Sequence, residues 1–393
     1  WLKYCRRPVL KGILFHSSFL MSRVLLALLT WSRVASRTYP RSLPNGPIIA
    51  AWQDWSACNE TKTLQEVEEG VNVIFWFATD LIKDSATKQP KIVGGPNFEC
   101  VARVRAAIDE LELPCAHLIS IGGWGHPHPD TSFSGTEWFS FWNEWNNNLP
   151  APFDGFDWDL EGSDYLFSTL NALSPKLLQL VIDMSVAAKH AGLLVTMAPP
   201  QSYFDVTTHQ FNRFLNNTDP HFHPDFHYRG RNSYTYLWAA APAGTFDLVE
   251  VQTYETFGPA LRGLQSMSGS EYLQTWAADL LRGWVINVTD PLLPQTGLLP
   301  VAVPPSRLLI GLSFGGGGGG RSACFWPESI RIAFETAEPS QRPRGYAFWN
   351  IGQDGRKMNG TNRSVSLARS LNSFLHVRTL PPEQVRILSQ FVV

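Results

Sequence analysis

The chain has 393 residues, 44% hydrophobic and only 17% charged, so it can build a large core, and wholesale disorder is excluded. Its 32 basic and 34 acidic residues leave a net charge of −2 with no long basic run, which excludes the electrostatic footprint of a nucleic-acid binder. The 15 Trp and 24 Phe exceed what a core needs, and the surplus faces suit flat, partly apolar ligands such as sugar rings.

In chain order, the entry region comes first. The chain starts at Trp1 and its first methionine is Met21. Met21-Ser22-Arg23 is a short basic start, Val24 to Trp31 is apolar, and Val34-Ala35-Ser36 has small residues spaced for cleavage, which reads as a secretory signal. Residues 1–36 are therefore expected to be upstream sequence plus signal, and the mature protein extracellular. Lys11, His16 and Arg23 interrupt every apolar run well short of the roughly 18 residues a membrane span needs, so no membrane partner is expected. The sequons at Asn59, Asn216, Asn287, Asn359 and Asn362 suit secretion and a glycoprotein. Beyond the signal, Cys58, Cys100, Cys115 and Cys324 lack zinc-site spacing and allow three pairings, with one or two disulfides expected or else four buried thiols.

Short apolar runs then recur with helical patterns between them. The runs are Ile48–Trp52, Val71–Phe77, His117–Ile121, Phe153–Glu161, Leu193–Ala198, Phe246–Gln252, Leu308–Ser313 and Gly345–Asn350. Between them, Val101–Leu113, Lys176–Lys189, Glu271–Trp284 and Pro327–Glu335 repeat apolar residues at helical spacing. Eight strand–helix units predict an α/β protein, a closed (β/α)8 TIM barrel in one domain spanning 37–376, with a tail at 377–393. An open doubly wound sheet would carry a glycine fingerprint in its first strand-to-helix turn, and the turn after Trp52 has none.

The fourth run, Phe153-Asp154-Gly155-Phe156-Asp157-Trp158-Asp159-Leu160-Glu161, carries the strongest signal. Strand alternation puts Asp157, Asp159 and Glu161 on one face and Phe156, Trp158 and Leu160 on the other. The apolar face meets the helices, so three carboxyls line the barrel interior about 6–7 Å apart. Like charges that close cannot all ionise, and no fold needs them there for stability. A solvated acidic edge is opposed by Phe156 and Trp158, and a calcium loop by the missing glycine and ligand spacing. Glu161, kept protonated by acidic neighbours and apolar surroundings, suits a general acid of the kind that cleaves a glycosidic bond.

Here the sequence resembles glycoside hydrolase family 18, the chitinase family. Its D-x-x-D-x-D-x-E hallmark is present as Asp154, Asp157, Asp159 and Glu161; S-x-G-G matches Ser120-Ile121-Gly122-Gly123; Q-x-Y matches Gln252-Thr253-Tyr254; and the eighth strand ends in Phe348-Trp349. The resemblance runs from about Ile48 to Trp349. It implies that Glu161 protonates the leaving oxygen while Asp159 turns to the substrate's N-acetyl group, which itself attacks the anomeric carbon to give an oxazolinium ion that water opens with retention. Asp157 would share a proton with Asp159 as a coupled pair, and Tyr254 would hold the acetamido oxygen. Gln252, Met197 and Trp349 would line the same subsite, with Trp349 under the ring. Asp154, Gly122, Gly123 and Trp124 are further candidates for substrate contact, and Trp52 and Trp55 for an extended platform. Each has a plainer reading: the glycines let two strands pack closely, Met197 belongs to the core, and the tryptophans pack loops.

One departure is Glu255, where the family often has Asp or Asn after the tyrosine. Another is the short span from Ser313 to Gly345, which leaves no room for an α+β insertion and implies an open groove. With the likeness of Ala198-Pro199-Pro200-Gln201 to smaller plant-type members, this points to an endo-acting, monomeric chitinase with chitin or N-acetylglucosamine oligomers as partners. No cofactor or metal is implied. The alternatives are an endo-β-N-acetylglucosaminidase acting on N-glycans and a non-catalytic chitin-binding lectin. The six-glycine run Gly315 to Gly320 before Arg321 lacks the Lys-Ser/Thr of a phosphate loop, and His221, His223 and His227, like His126 and His128, read as incidental rather than metal-binding.

Overall fold

The computed structural model describes residues 39–163, 165, 167–214, 231–256, 258–314, 322–358 and 361–375. The expected signal, the tail 377–393, the sequons at Asn216 and Asn359, the loop histidines His221, His223 and His227, and the stretch Gly315 to Arg321 lie outside the described residues.

The strands in chain order are β1 (Ile48–Trp52), β2 (Val73–Lys83), β3 (Pro90–Gly94), β4 (Ala116–Gly123), β5 (Gly155–Leu160), β6 (Leu194–Met197), β7 (Leu248–Gln252), β8 (Trp284–Val288), β9 (Gly297–Val301), β10 (Leu308–Ser313) and β11 (Gly345–Trp349). Eight of them pair in parallel in the order β1, β2, β4, β5, β6, β7, β10, β11, and β11 pairs back with β1, which closes the barrel. Every expected strand is present, and the runs at Ile48–Trp52 and Leu308–Ser313 coincide end to end.

The helices are α1 (Glu60–Glu68), α2 (Phe98–Glu110), α3 (Gly135–Asn147), α4 (Pro175–His190), α5 (Ser233–Ala240), α6 (Pro259–Gly263), α7 (Gly269–Arg282), α8 (Pro327–Thr336) and α9 (Leu367–Leu375). Their ends follow local chemistry. In α4 the Ser174 side chain accepts from the Leu177 amide, Pro175 occupies the first turn, and Lys189 and His190 close the last. None of the described helices is long and apolar enough to cross a membrane.

The inward side chains explain where a site can form. At the amino ends of the strands, Ile48, Val73, Ala116, Leu194, Leu248 and Leu309 belong to one buried apolar cluster, with Leu43 packed against it. That end is plugged. Towards the carboxyl ends the inward positions turn polar, with Ser120, Asp157, Asp159, Thr196 and Gln252, all buried. Chemistry therefore collects at the carboxyl face, as in other barrels of this architecture.

Asp154 lies at the other end. It is fully buried and accepts from the His117 amide at 2.8 Å, the Arg41 amide at 2.9 Å and the Arg105 guanidinium at 2.6 Å. As a candidate substrate contact it is corrected by position: it ties the feet of β4 and β5 to the entering chain and to α2, one full strand from Glu161.

Beyond the expected runs stand further elements, among them α1, α5, α6 and α9. β3 returns antiparallel along the extension of β2, β8 and β9 form a separate two-stranded antiparallel hairpin, and α3 fills the interval between β4 and β5. Of the three possible cysteine pairings, Cys58 is bonded to Cys100, joining the loop after β1 to α2, while Cys115 and Cys324 are free. The sequon residues Asn59, Asn287 and Asn362 are exposed.

Candidate active site

β5 is fixed in phase by its outward side chains. Phe156 packs edge-on against Trp142 of α3, centroids 5.0 Å apart, and the Trp158 indole donates to the Ser185 hydroxyl of α4 at 2.8 Å. With those two held, alternation leaves Asp157 and Asp159 no direction but inward.

Asp157 accepts three hydrogen bonds, from the hydroxyls of Ser120 at 2.9 Å and Thr196 at 2.8 Å and from the Trp52 indole at 3.4 Å. Burial pushes its pKa up to about 6, and the three donors hold it from going further. Asp159 accepts from the Gln252 amide at 2.8 Å, and that amide is oriented by the Ala198 carbonyl at 2.6 Å. Burial first, then the charges of Glu161 and Asp157, raise the Asp159 pKa well above the carboxylate range.

Glu161 follows directly on β5. Its side chain is half-buried; burial and then the charge of Glu255 push its pKa to about 8. A hydrogen bond joins it to Asp159, and the two carboxyls titrate as a coupled pair, both raised. The site thus separates into one acid stabilised as a carboxylate and two that retain a proton near neutrality. That is the arrangement a proton donor at neutral pH requires. The backbone at 161 is pinned by His128, a histidine that burial keeps neutral and whose Nε2 lies 2.8 Å from the Glu161 carbonyl oxygen.

Gln252 ends β7, and Tyr254 follows two residues on. Burial and then the charges of Asp159, Glu161 and Asp157 hold the Tyr254 hydroxyl well above its usual range, so it stays a hydrogen-bond donor beside the acids. Trp349 ends β11 facing inward, edge-on to Phe77 at 4.8 Å and to Trp55 at 6.1 Å. Trp55, 40% exposed, stacks on His126 at 4.5 Å, and His126 lies 3.0 Å from Asp80. Trp124 stands half-buried just past β4.

The remaining candidates divide. Gly122 and Gly123 have φ of +102° and +114°, and a Cβ at either would lie within 2.7 Å of neighbouring atoms, the Asp159 carbonyl oxygen for the first and the Phe77 and Trp55 rings for the second. They permit close approach of β4, β5 and the aromatic wall. Met197 is corrected. Thr196 reaches inward to Asp157, and Leu194 and Ala198 share the interior cluster, so Met197 faces away from the subsite. Trp52 is likewise no platform: it is buried inside the barrel, stacked on Phe75 at 4.9 Å, and serves Asp157.

Sequence reading missed Tyr234 and, at Glu255, saw a departure after the tyrosine without its role. Tyr234 of α5 is fully buried, and its hydroxyl accepts from the Leu160 amide at 2.5 Å, holding the strand end that presents Glu161. Glu255 accepts from the Ser202 amide at 2.8 Å and its hydroxyl at 2.6 Å, with its pKa pushed by burial to about 7. Tyr234 shows neither periodicity nor motif spacing, and both residues act through contacts distant in sequence. Among the described residues, three carboxylates with oxygens close enough to share a cation occur away from this site, at Glu66, Glu69 and Asp354. They are engaged by Lys62, Arg369 and the first amides of α9.

The fold is that of the glycoside hydrolase family 18 chitinases. A family GH18 chitinase from Chromobacterium violaceum superposes with a TM-score of 0.53 at 14% identity, covering 84% of this chain and 83% of that one. A GH18 chitinase from Pseudoalteromonas aurantia gives 0.50 at 11% identity, covering 84% of this chain and all of that one. No family model matches the sequence, and no curated protein matches it significantly.

Proposed function

We propose that the protein is a secreted, endo-acting chitinase that hydrolyses β-1,4 linkages between N-acetylglucosamine units by substrate-assisted, retaining catalysis. The observation that carries this reading is the graded row of Asp157, Asp159 and Glu161 at the carboxyl end of the barrel, with Gln252 and Tyr254 on the same wall.

Glu161 gives its proton to the glycosidic oxygen as the bond to the anomeric carbon breaks. The carbonyl oxygen of the substrate's own acetamido group attacks that carbon, so no second enzyme carboxylate is needed at bonding distance. Asp159, protonated and released from Glu161, turns to the acetamido nitrogen, while the Tyr254 hydroxyl donates to the acetamido oxygen. Water then opens the oxazolinium ion, losing its proton to Glu161. The net charge near the acids stays small throughout, which matters in a site this dry. Trp349 offers the sugar a flat floor.

An endo mode is supported by the short span between β10 and β11, which carries no further strand among the described residues. The Cys58–Cys100 disulfide suits an oxidising, extracellular setting. The test follows the products of an N-acetylglucosamine hexamer by NMR in the first minutes. The β-anomer with internal cleavage is expected. The α-anomer as first product rules out retention, disaccharides released from one end rule out the endo mode, and cleavage only of N-glycan cores identifies the glucosaminidase instead.

A further inference from the structure

Beside the acid row the barrel holds one more carboxyl, which no step above uses. Glu250 sits in β7 between Leu248, part of the apolar plug, and Gln252, which binds Asp159, so alternation points it inward. It is fully buried, and neither carboxyl oxygen makes a hydrogen bond of good geometry, although the amides of Glu250 and Met197 lie near enough to pull weakly on it. Thr196 pairs with Asp157 on one side and Leu248 on the other, so Glu250 and Asp157 stand two strands apart, about 10 Å between backbones. Two inward side chains nearly close that distance, and the neighbouring inward positions, Ala198 and Gly311, are small.

The surroundings leave Glu250 little choice of state. Across the described strands, the inward positions carry no Lys, Arg or His. The titratable groups facing the interior are Asp157 and Asp159, with Glu161, Tyr234 and Tyr254 above and the Lys189-bound Asp247 at the foot of β7. A carboxylate here would be unpartnered and beside another negative charge, so the neutral acid is the stable form. Burial, then Asp157, hold its proton well above the carboxylate range, against a weaker pull from the amides of Glu250 and Met197. A neutral acid has one proton to donate, and Asp157 is the charged acceptor that acts on it.

We propose that Glu250 is a positioning residue of the acid row: its carboxyl O–H is aimed at Asp157 through one bridging water, adding a donor to those of Ser120, Thr196 and Trp52. Buried polar groups left without protein partners hold such waters. The link fixes Asp157 as the ionised member of the row and keeps the protons on Asp159 and Glu161. Its value for catalysis rests on the reading in the preceding section; the hydrogen-bond assignment itself does not.

The experiment is carboxyl-carbon NMR titration of the intact protein with no substrate present. In the wild type, Glu250 is expected to stay protonated through neutral pH; titration in the ordinary glutamate range overturns the proposal. In Glu250→Met, which keeps length and burial but cannot donate, the Asp157 titration is expected to rise by about one pH unit. In Glu250→Gln, whose amide still donates, it is expected to stay near the wild-type value. An Asp157 titration unchanged in Glu250→Met, or moved equally in both variants, overturns the link. Where chitin oligomers are cleaved, the acid limb of kcat moves up with Asp157 in Glu250→Met while KM stays constant. A protein that cleaves nothing sinks the chitinase reading and leaves the titration result to stand by itself.

Discussion

Glu161 keeps its proton to about pH 8 because of its burial and because Glu255, a carboxyl from a different loop, faces it. Removing that charge in Glu255→Gln is expected to lower the Glu161 pKa, so the alkaline limb of the pH–rate profile moves to lower pH while the acid limb, set by Asp157 near 6, stays. Superimposable profiles for the two proteins contradict the coupling. A second buried acid bears on stability. Glu66 is raised to about 9, first by burial and then by Asp354. Between about pH 4.5 and 9 the unfolded chain has lost that proton and the folded chain has not, so stability falls as pH rises across this window, by up to roughly 1 kcal/mol per pH unit. Glu66→Gln is expected to flatten this slope in denaturant unfolding at several pH values; a slope equal to the wild type's contradicts it.

At the scale of elements, β5 was readable because its alternation is strict and its two faces differ in kind, acids against aromatics. α3 was not read, although the signal was present. Ser134 and Glu137 form a reciprocal capping box, and Trp138 and Trp142, one turn apart, are both buried. The abundance of Trp, Phe and Asn there masked the period. Asp154 shows the opposite failure, in which a motif position suggested substrate contact while its partners, Arg41 and Arg105, lie far away in sequence. Asp154→Asn is expected to destabilise the fold by roughly 3–5 kcal/mol by leaving Arg105 without its buried counter-charge, with KM unchanged for the protein that remains folded. A raised KM with unaltered stability contradicts this assignment. For Met197, a four-residue strand too short to set its own phase hid the direction of the side chain until Thr196 was seen on Asp157.

For the whole molecule, the barrel was legible because eight strands each announce themselves locally, and closure follows from their number. The disulfide pairing, the β8–β9 hairpin and the contributions of Tyr234 and Glu255 depend on which loops meet above the barrel, and no local pattern encodes that. Cys58–Cys100 closes a loop spanning 42 positions. A Cys58→Ser, Cys100→Ser double variant is expected to lose up to about 4 kcal/mol in chemical denaturation, and a variant as stable as the wild type contradicts a structural role for the bond. The central claim is that three acids are kept on one inward face for proton delivery. It is tested most directly by the rate at which the wild type and Glu161→Gln release the reporter from a chromogenic N-acetylglucosamine oligomer, with both melting curves recorded. The account predicts a loss of several orders of magnitude with the melting temperature retained; equal rates in two equally folded proteins would contradict it.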